Sequence, residues 1–133
     1  MTTVGKYANI YPLEREAWVA RDTRNISWVK AAQKDFLKFP ATVREDMETA
    51  LTIAADGSKA DSAKPMKGLG AGVFEITKRY KTDTYRSVYG VKIGEDIWFV
   101  HAFMKKSKTG IKTPKEDIDL IKSRIKHLKE SLK

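Results

Sequence analysis

The spacing of apolar side chains changes twice along this chain. Across residues 31–55 they recur at intervals of three and four, the repeat of a helix with one buried face. Across residues 73–103 they alternate in twos, the repeat of strands with unlike faces. From Thr113 onward the helical interval returns. The pattern predicts an α+β domain in which an antiparallel sheet packs against a helix pair. A last helix is expected across an edge of the sheet or on its opposite face.

The elements follow in order. Residues 26–29 read as a short strand, and Ala32, Phe36 and Phe39 form a helical stripe within residues 31–39. Pro40 disfavours helix at Phe39 and suits a first helical turn, so a second helix is expected over residues 40–55, burying Val43, Met47 and Leu51. Asp56-Gly57 ends it, and residues 58–67 read as a polar loop. Gly68-Leu69-Gly70-Ala71-Gly72 leads into a strand over residues 73–80. A turn at Lys81-Thr82-Asp83 opens a hairpin of residues 85–93 and 97–103, joined at Gly94-Glu95-Asp96. Alternation puts Tyr85, Tyr89, Val91 and Ile93 on one face, and sets His101 in step with Phe99 and Phe103. The hairpin empties into a basic loop over residues 105–112. Thr113-Pro114-Lys115-Glu116 then reads as a capping box, ahead of a seam of Ile118, Ile121, Ile125, Leu128 and Leu132.

Charge sharpens this picture. Residues 1–63 hold nine basic and nine acidic side chains, whereas residues 64–133 hold seventeen basic and eight acidic, so the whole net charge of +9 lies in the second part. A one-sided basic surface favours RNA, DNA or an acidic protein; the plainer alternative is a solvated lysine-rich helix. The chain has no cysteine, which excludes disulfides and thiolate chemistry and suits a reducing compartment. The first ten residues lack the apolar core of a secretory signal, and no apolar run approaches the roughly 20 residues of a membrane span. A soluble, cytoplasmic, single-domain protein is expected.

Three motifs carry a family resemblance: K-P-M-K-G-L-G-A-G-V-F-E-I at 64–76, D-T-Y-R-S-V-Y-G-V at 83–91, and H-A-F-M-K-K-S-K-T-G-I-K-T-P at 101–114. With the Phe39-Pro40 break between two helices, they resemble the phage-derived HigB-like branch of the RelE/ParE toxin superfamily. The resemblance divides the chain into an N-terminal extension of unassigned role, residues 1–24, and a RelE/HigB-like domain, residues 25–133. It implies a RelE-like fold and the toxin of a toxin–antitoxin pair. The expected partners are a helix-turn-helix antitoxin, through which alone operator DNA would be met, and the ribosome with its mRNA. The implied chemistry needs no cofactor and no metal: a 2′-hydroxyl attacks the adjacent phosphate, leaving a cyclic phosphate and a 5′-hydroxyl. ParE-like relatives act on DNA gyrase instead, and a non-catalytic module binding nucleic acid or antitoxin is a third reading.

The same resemblance sets the candidate residues. Arg86 falls at the strand arginine, whose guanidinium can hold two phosphate oxygens at once. Lys106 falls at the basic residue ending the last strand, with Lys105 beside it; successive strand residues point to opposite faces, so at most one faces Arg86. Glu75 and Thr77 stand where RelE carries lysines, and Lys112 lies near the place of a C-terminal tyrosine. Glu75 is either a base for the 2′-hydroxyl or a cross-strand ion partner of Arg86. Lys78, Lys108, Lys112, Lys122 and Lys129 are candidate nucleic-acid contacts. His101 reads as a hydrogen-bonded histidine at the boundary of sheet and helix, with catalysis as the minority reading, and His127 as solvated. The glycine-rich run lacks the strand-before, helix-after setting of a nucleotide loop.

Overall fold

The structure, a computed structural model, describes residues 23–106 and 112–132, except for the side chain of Lys106. Nearly all of the expected extension, together with Lys108, lies outside the described residues. The elements run β1 (Ile26–Trp28), α1 (Lys30–Phe36), α2 (Ala41–Ala55), β2 (Ala63–Pro65), β3 (Val73–Tyr80), β4 (Asp83–Ile93), β5 (Asp96–Lys106) and α3 (Lys115–Ser131). The five strands form one sheet in the order β1-β5-β4-β3-β2. β2 to β5 pair antiparallel, while β1 lies parallel to β5 with Ile26 opposite Ile97.

Helices cover both faces. On one, Phe36, Val43, Met47 and Leu51 of α1 and α2 pack on Ile76, Tyr89, Ile97, Phe99 and Ala102. Aromatic rings tighten this side: Trp28 lies 4.6 Å and Phe36 5.3 Å from Phe99 between ring centroids, and Phe39 lies 4.9 Å from Tyr85. On the other face, Ile121 and Ile125 of α3 pack on Val73, Val88, Ile93 and Val100. Of the expected seam only these two are buried; Ile118 and Leu128 are half-buried and Leu132 is exposed. The last helix therefore takes the opposite face, not the edge. Among the described residues no helix is long and apolar enough to cross a membrane.

The structure departs from the periodicity at four places. β5 carries a bulge: Val88 pairs with His101 but Tyr89 with Phe99, so Val100 is an extra residue. Val100 and His101 both meet α3, Ala102 returns to the other core, and His101 shares a face with Phe103 rather than Phe99. A second shift between Gly90 and Ile93 sends Ile93 to the α3 side, away from Tyr85 and Tyr89. β2 lies within the expected polar loop; it is too short to show alternation, and its Pro65 is tolerated on an edge strand. The capping box does not form. α3 begins one residue later, with Pro114 as its N-cap and no side-chain cap bond, and the Thr113 hydroxyl donates to β3.

Two devices close the fold. Gly72 sits at φ +76° and its carbonyl accepts the Val91 N–H at 2.8 Å; a Cβ there would lie 2.9 Å from Lys92 Cγ. The glycine-rich run is thus a shaped lead into β3 that requires positive φ. Arg24 donates to the carbonyls of Glu95 (2.8 Å), Val91 (2.6 Å) and Asp96 (3.1 Å), while its own N–H bonds Ala55. It therefore locks the β4–β5 turn against the end of α2. Arg24→Ala is expected to cost about 1–3 kcal/mol, the range for hydrogen bonds from a charged donor, read as a lowered urea midpoint.

Candidate functional site

The α3 seam is spent on one part of its sheet face. The remainder, carried by Thr77, Arg79, Thr84, Arg86, Phe103 and Lys105, contains no fully buried side chain. Register assembles it in rungs. Thr77, Arg86 and Phe103 lie side by side across β3, β4 and β5, and Arg79, Thr84 and Lys105 form the next rung. The rung before them holds Glu75, Val88 and His101.

Glu75 and Arg86 meet on the diagonal between rungs. The Arg86 guanidinium donates to Glu75 Oε1 at 2.7 Å, and the Thr113 hydroxyl donates to Oε2 at 2.6 Å. The side chains of Arg86 and Glu75 are 12% and 13% exposed, so the pair is largely desolvated yet reachable from solvent. Lys105 donates its ammonium to the backbone carbonyl of Lys112. Both contacts tie the segment before α3 onto the sheet beside Arg86. Such an arrangement can bind an anion through Arg86 and accept a proton on Glu75.

Beside this pair runs a buried polar chain. His101, with 5% of its side chain exposed, places Nε2 2.7 Å from Asp117 Oδ1 and Nδ1 3.0 Å from Arg124. A guanidinium only donates, so Nδ1 accepts and Nε2 carries the proton shared with Asp117. Arg124 also donates to the Val100 carbonyl at 2.9 Å, closing the bulge. The His101 ring stacks on Phe103 at 5.3 Å. His101 is thus the hydrogen-bonded boundary residue expected from sequence, and His127 is exposed.

The remaining candidates scatter. Lys105 lies on the Arg86 face. Lys106 pairs with Asp83, one residue out of step with that face, and its side chain lies outside the described residues. Lys78 binds Asp46 of α2 at 2.6 Å, on the opposite side of the sheet from Arg86. Lys122 and Lys129 line a groove with Leu69, Ile125, Lys126 and Glu130, away from the pair. Lys112 is exposed beside Thr113. Tyr89 stacks on Phe74 within the core, 5.4 Å between centroids, and burial pushes its hydroxyl up to about 12, so core packing holds there.

Sequence reasoning passed over Thr113, Phe103, Asp117 and Arg124. A signal existed for two of them. Asp117 and Arg124 are opposite charges two helical turns apart, flanking the apolar seam, and such a pair brackets a polar group underneath.

Helices on both faces of a small, mostly antiparallel sheet define a RelE-like fold. Among solved structures, a double arginine-to-alanine mutant of E. coli toxin RelE in the free state aligns with TM-score 0.53 and 18% identity, over 79% of this chain and 97% of RelE. The crystal structure of the isolated E. coli RelE toxin aligns with TM-score 0.50 and 20% identity, over 66% of this chain and 88% of that one. Residues 34–126 match the family of phage-derived Gp49-like proteins (DUF891), and the chain belongs to that family. No curated protein matches the chain significantly. The phage-derived, RelE-like character read from the motifs is borne out.

The polar chain carries a stability prediction. Arg124→Ala leaves His101 Nδ1 and the Val100 carbonyl without their donor beneath α3. The expected cost is about 1–3 kcal/mol, with an unchanged denaturant slope. Lys122→Ala, exposed on the same helix, should stay within about 0.5 kcal/mol.

Proposed function

We propose that this protein is the toxin of a toxin–antitoxin pair and that it cuts mRNA on the ribosome. The observation that carries this reading is the Glu75–Arg86 pair, part-buried on the open portion of the sheet and flanked in the next rung by Arg79 and Lys105. A carboxylate and a guanidinium in contact match the needs of metal-free RNA cleavage. Glu75 takes the proton of the 2′-hydroxyl, whose oxygen bonds to phosphorus as the bond to the 5′-oxygen breaks. Arg86 holds the non-bridging oxygens as negative charge builds on them. Lys105, on the same sheet face, supplies further positive charge and the proton for the leaving oxygen. The products are a 2′,3′-cyclic phosphate and a 5′-hydroxyl.

The RelE-like fold supports a toxin; the basic second part of the chain supports a polyanion target. In this reading the ribosome presents and orients the codon. Positioning of this kind contributes about 7–11 kcal/mol toward a barrier. A helix-turn-helix antitoxin is the expected partner, and residues 25–133 the active part in the cytoplasm. A second reading is favoured by the pair itself: Arg86 and Glu75 already bind each other, as in a non-catalytic binding surface.

Primer extension on translated mRNA decides between them. Purified protein should give discrete cuts on ribosome-bound message and little on free RNA. Uncut message in that assay would overturn the catalytic reading. Arg86→Ala should lower the bound cleavage rate by about 10²–10³, the scale of losing one preorganised charge-stabilising donor. Lys122→Ala and Lys129→Ala should change affinity and its salt dependence, leaving the bound rate close to wild type.

A further inference from the structure

We propose that Thr113 is a positioning residue for Glu75, and that the segment from Lys112 to Pro114 is a strap holding that carboxylate in its working orientation. The inference rests on the catalytic reading above. Glu75 has two oxygens, and each has its own donor: Arg86 at 2.7 Å on Oε1 and Thr113 at 2.6 Å on Oε2. With Arg86 alone the carboxylate can rotate about its terminal torsion, which is broad and poorly defined for glutamate. A second donor on the other oxygen, 38 residues away along the chain, fixes the plane.

Two further observations bear on this contact. Thr113 precedes the N-cap, Pro114, and makes no side-chain cap bond to α3; its hydroxyl donates to Glu75. The strap is also held from its other side, where the Lys105 ammonium binds the Lys112 carbonyl. Because Lys105 and Arg86 share a sheet face, the strap spans from β5 to β3 beside the rung that carries Arg86. The T-P pair at the end of the basic loop thereby has a physical role. Threonine supplies the donor, and Pro114, with its fixed φ of −61°, sets the direction from which α3 leaves.

The test compares Thr113→Val, which keeps the shape and removes the donor, with Thr113→Ser, which restores it. In single-turnover cleavage of ribosome-bound mRNA, Thr113→Val should slow the bound step by about 10- to 100-fold, the scale of a hydrogen bond to a charged group. The half-saturating ribosome concentration should move by less than about twofold. Thr113→Ser should recover to within about threefold of wild type. In parallel, the Glu75 side-chain carboxyl carbon, followed by ¹³C NMR on the full chain, should shift in Thr113→Val and return in Thr113→Ser. Equal rates in wild type and Thr113→Val, a loss confined to half-saturation, or an unmoved Glu75 resonance would each overturn the proposal. Wild type that fails to cut at all overturns the catalytic reading, while the resonance still decides whether Thr113 holds Glu75.

Discussion

One inserted residue sets the geometry on which the rest depends. Up to Phe99, β5 alternates between the two cores in the ordinary way. Val100 breaks the count, and every later side chain of the strand is reversed relative to the pattern before it. The reversal brings His101 under α3, Phe103 beside Arg86 and Lys105 into the adjoining rung. An unbulged strand would have sent the same residues toward the apolar core of α1 and α2. Arg124 binds the carbonyl of Val100, so the irregularity is bridged by the helix whose docking it permits.

The second constraint is the narrowness of α3. With two fully buried isoleucines, the helix shields one part of the sheet and leaves the rest to polar and basic side chains. An ion pair in that remainder sits in an intermediate setting. Deep burial would make separating the charges costly, and full exposure would let water screen them. At the margin, a phosphate can compete for Arg86, since a guanidinium carries several donors and can keep one on Glu75 while turning others toward a ligand. The opposite face is built otherwise. Aromatic packing there excludes water, and the candidate cation Lys78 is engaged by Asp46.

How much of this was legible follows from the range of the interactions involved. Helix stripes and alternating strands are local, so α1, α2, β3, the hairpin and α3 could be read within a few residues of their bounds. Arg86 and Glu75 stood out through their motif, and their mutual contact was one of two readings the sequence left open. Three things were out of reach for a common reason. The bulge at Val100, the turning away of Ile93 and the bond from Thr113 to Glu75 are each decided by a partner distant in sequence. The capping box shows this best: the Thr113 hydroxyl, expected to accept a helix N–H, instead donates to a carboxylate on β3. Whether Lys105 or Lys106 accompanies Arg86 likewise turned on strand register, and adjacent identical residues carry no information about register.

The parallel pairing of β1 with β5 has a kinetic consequence. β3, β4 and β5 are joined by tight turns, so their ladders close small loops and form early. β1 reaches its place beside β5 only after a closure across about 71 residues, the span that also separates Arg24 from its acceptor at Glu95. On a growing chain this edge stays unpaired until β5 has been synthesised, although β1 leaves the ribosome first. The open edge of β5 is then the surface most exposed to wrong partners during assembly. The three residues of β1 and the arginine before them close that edge.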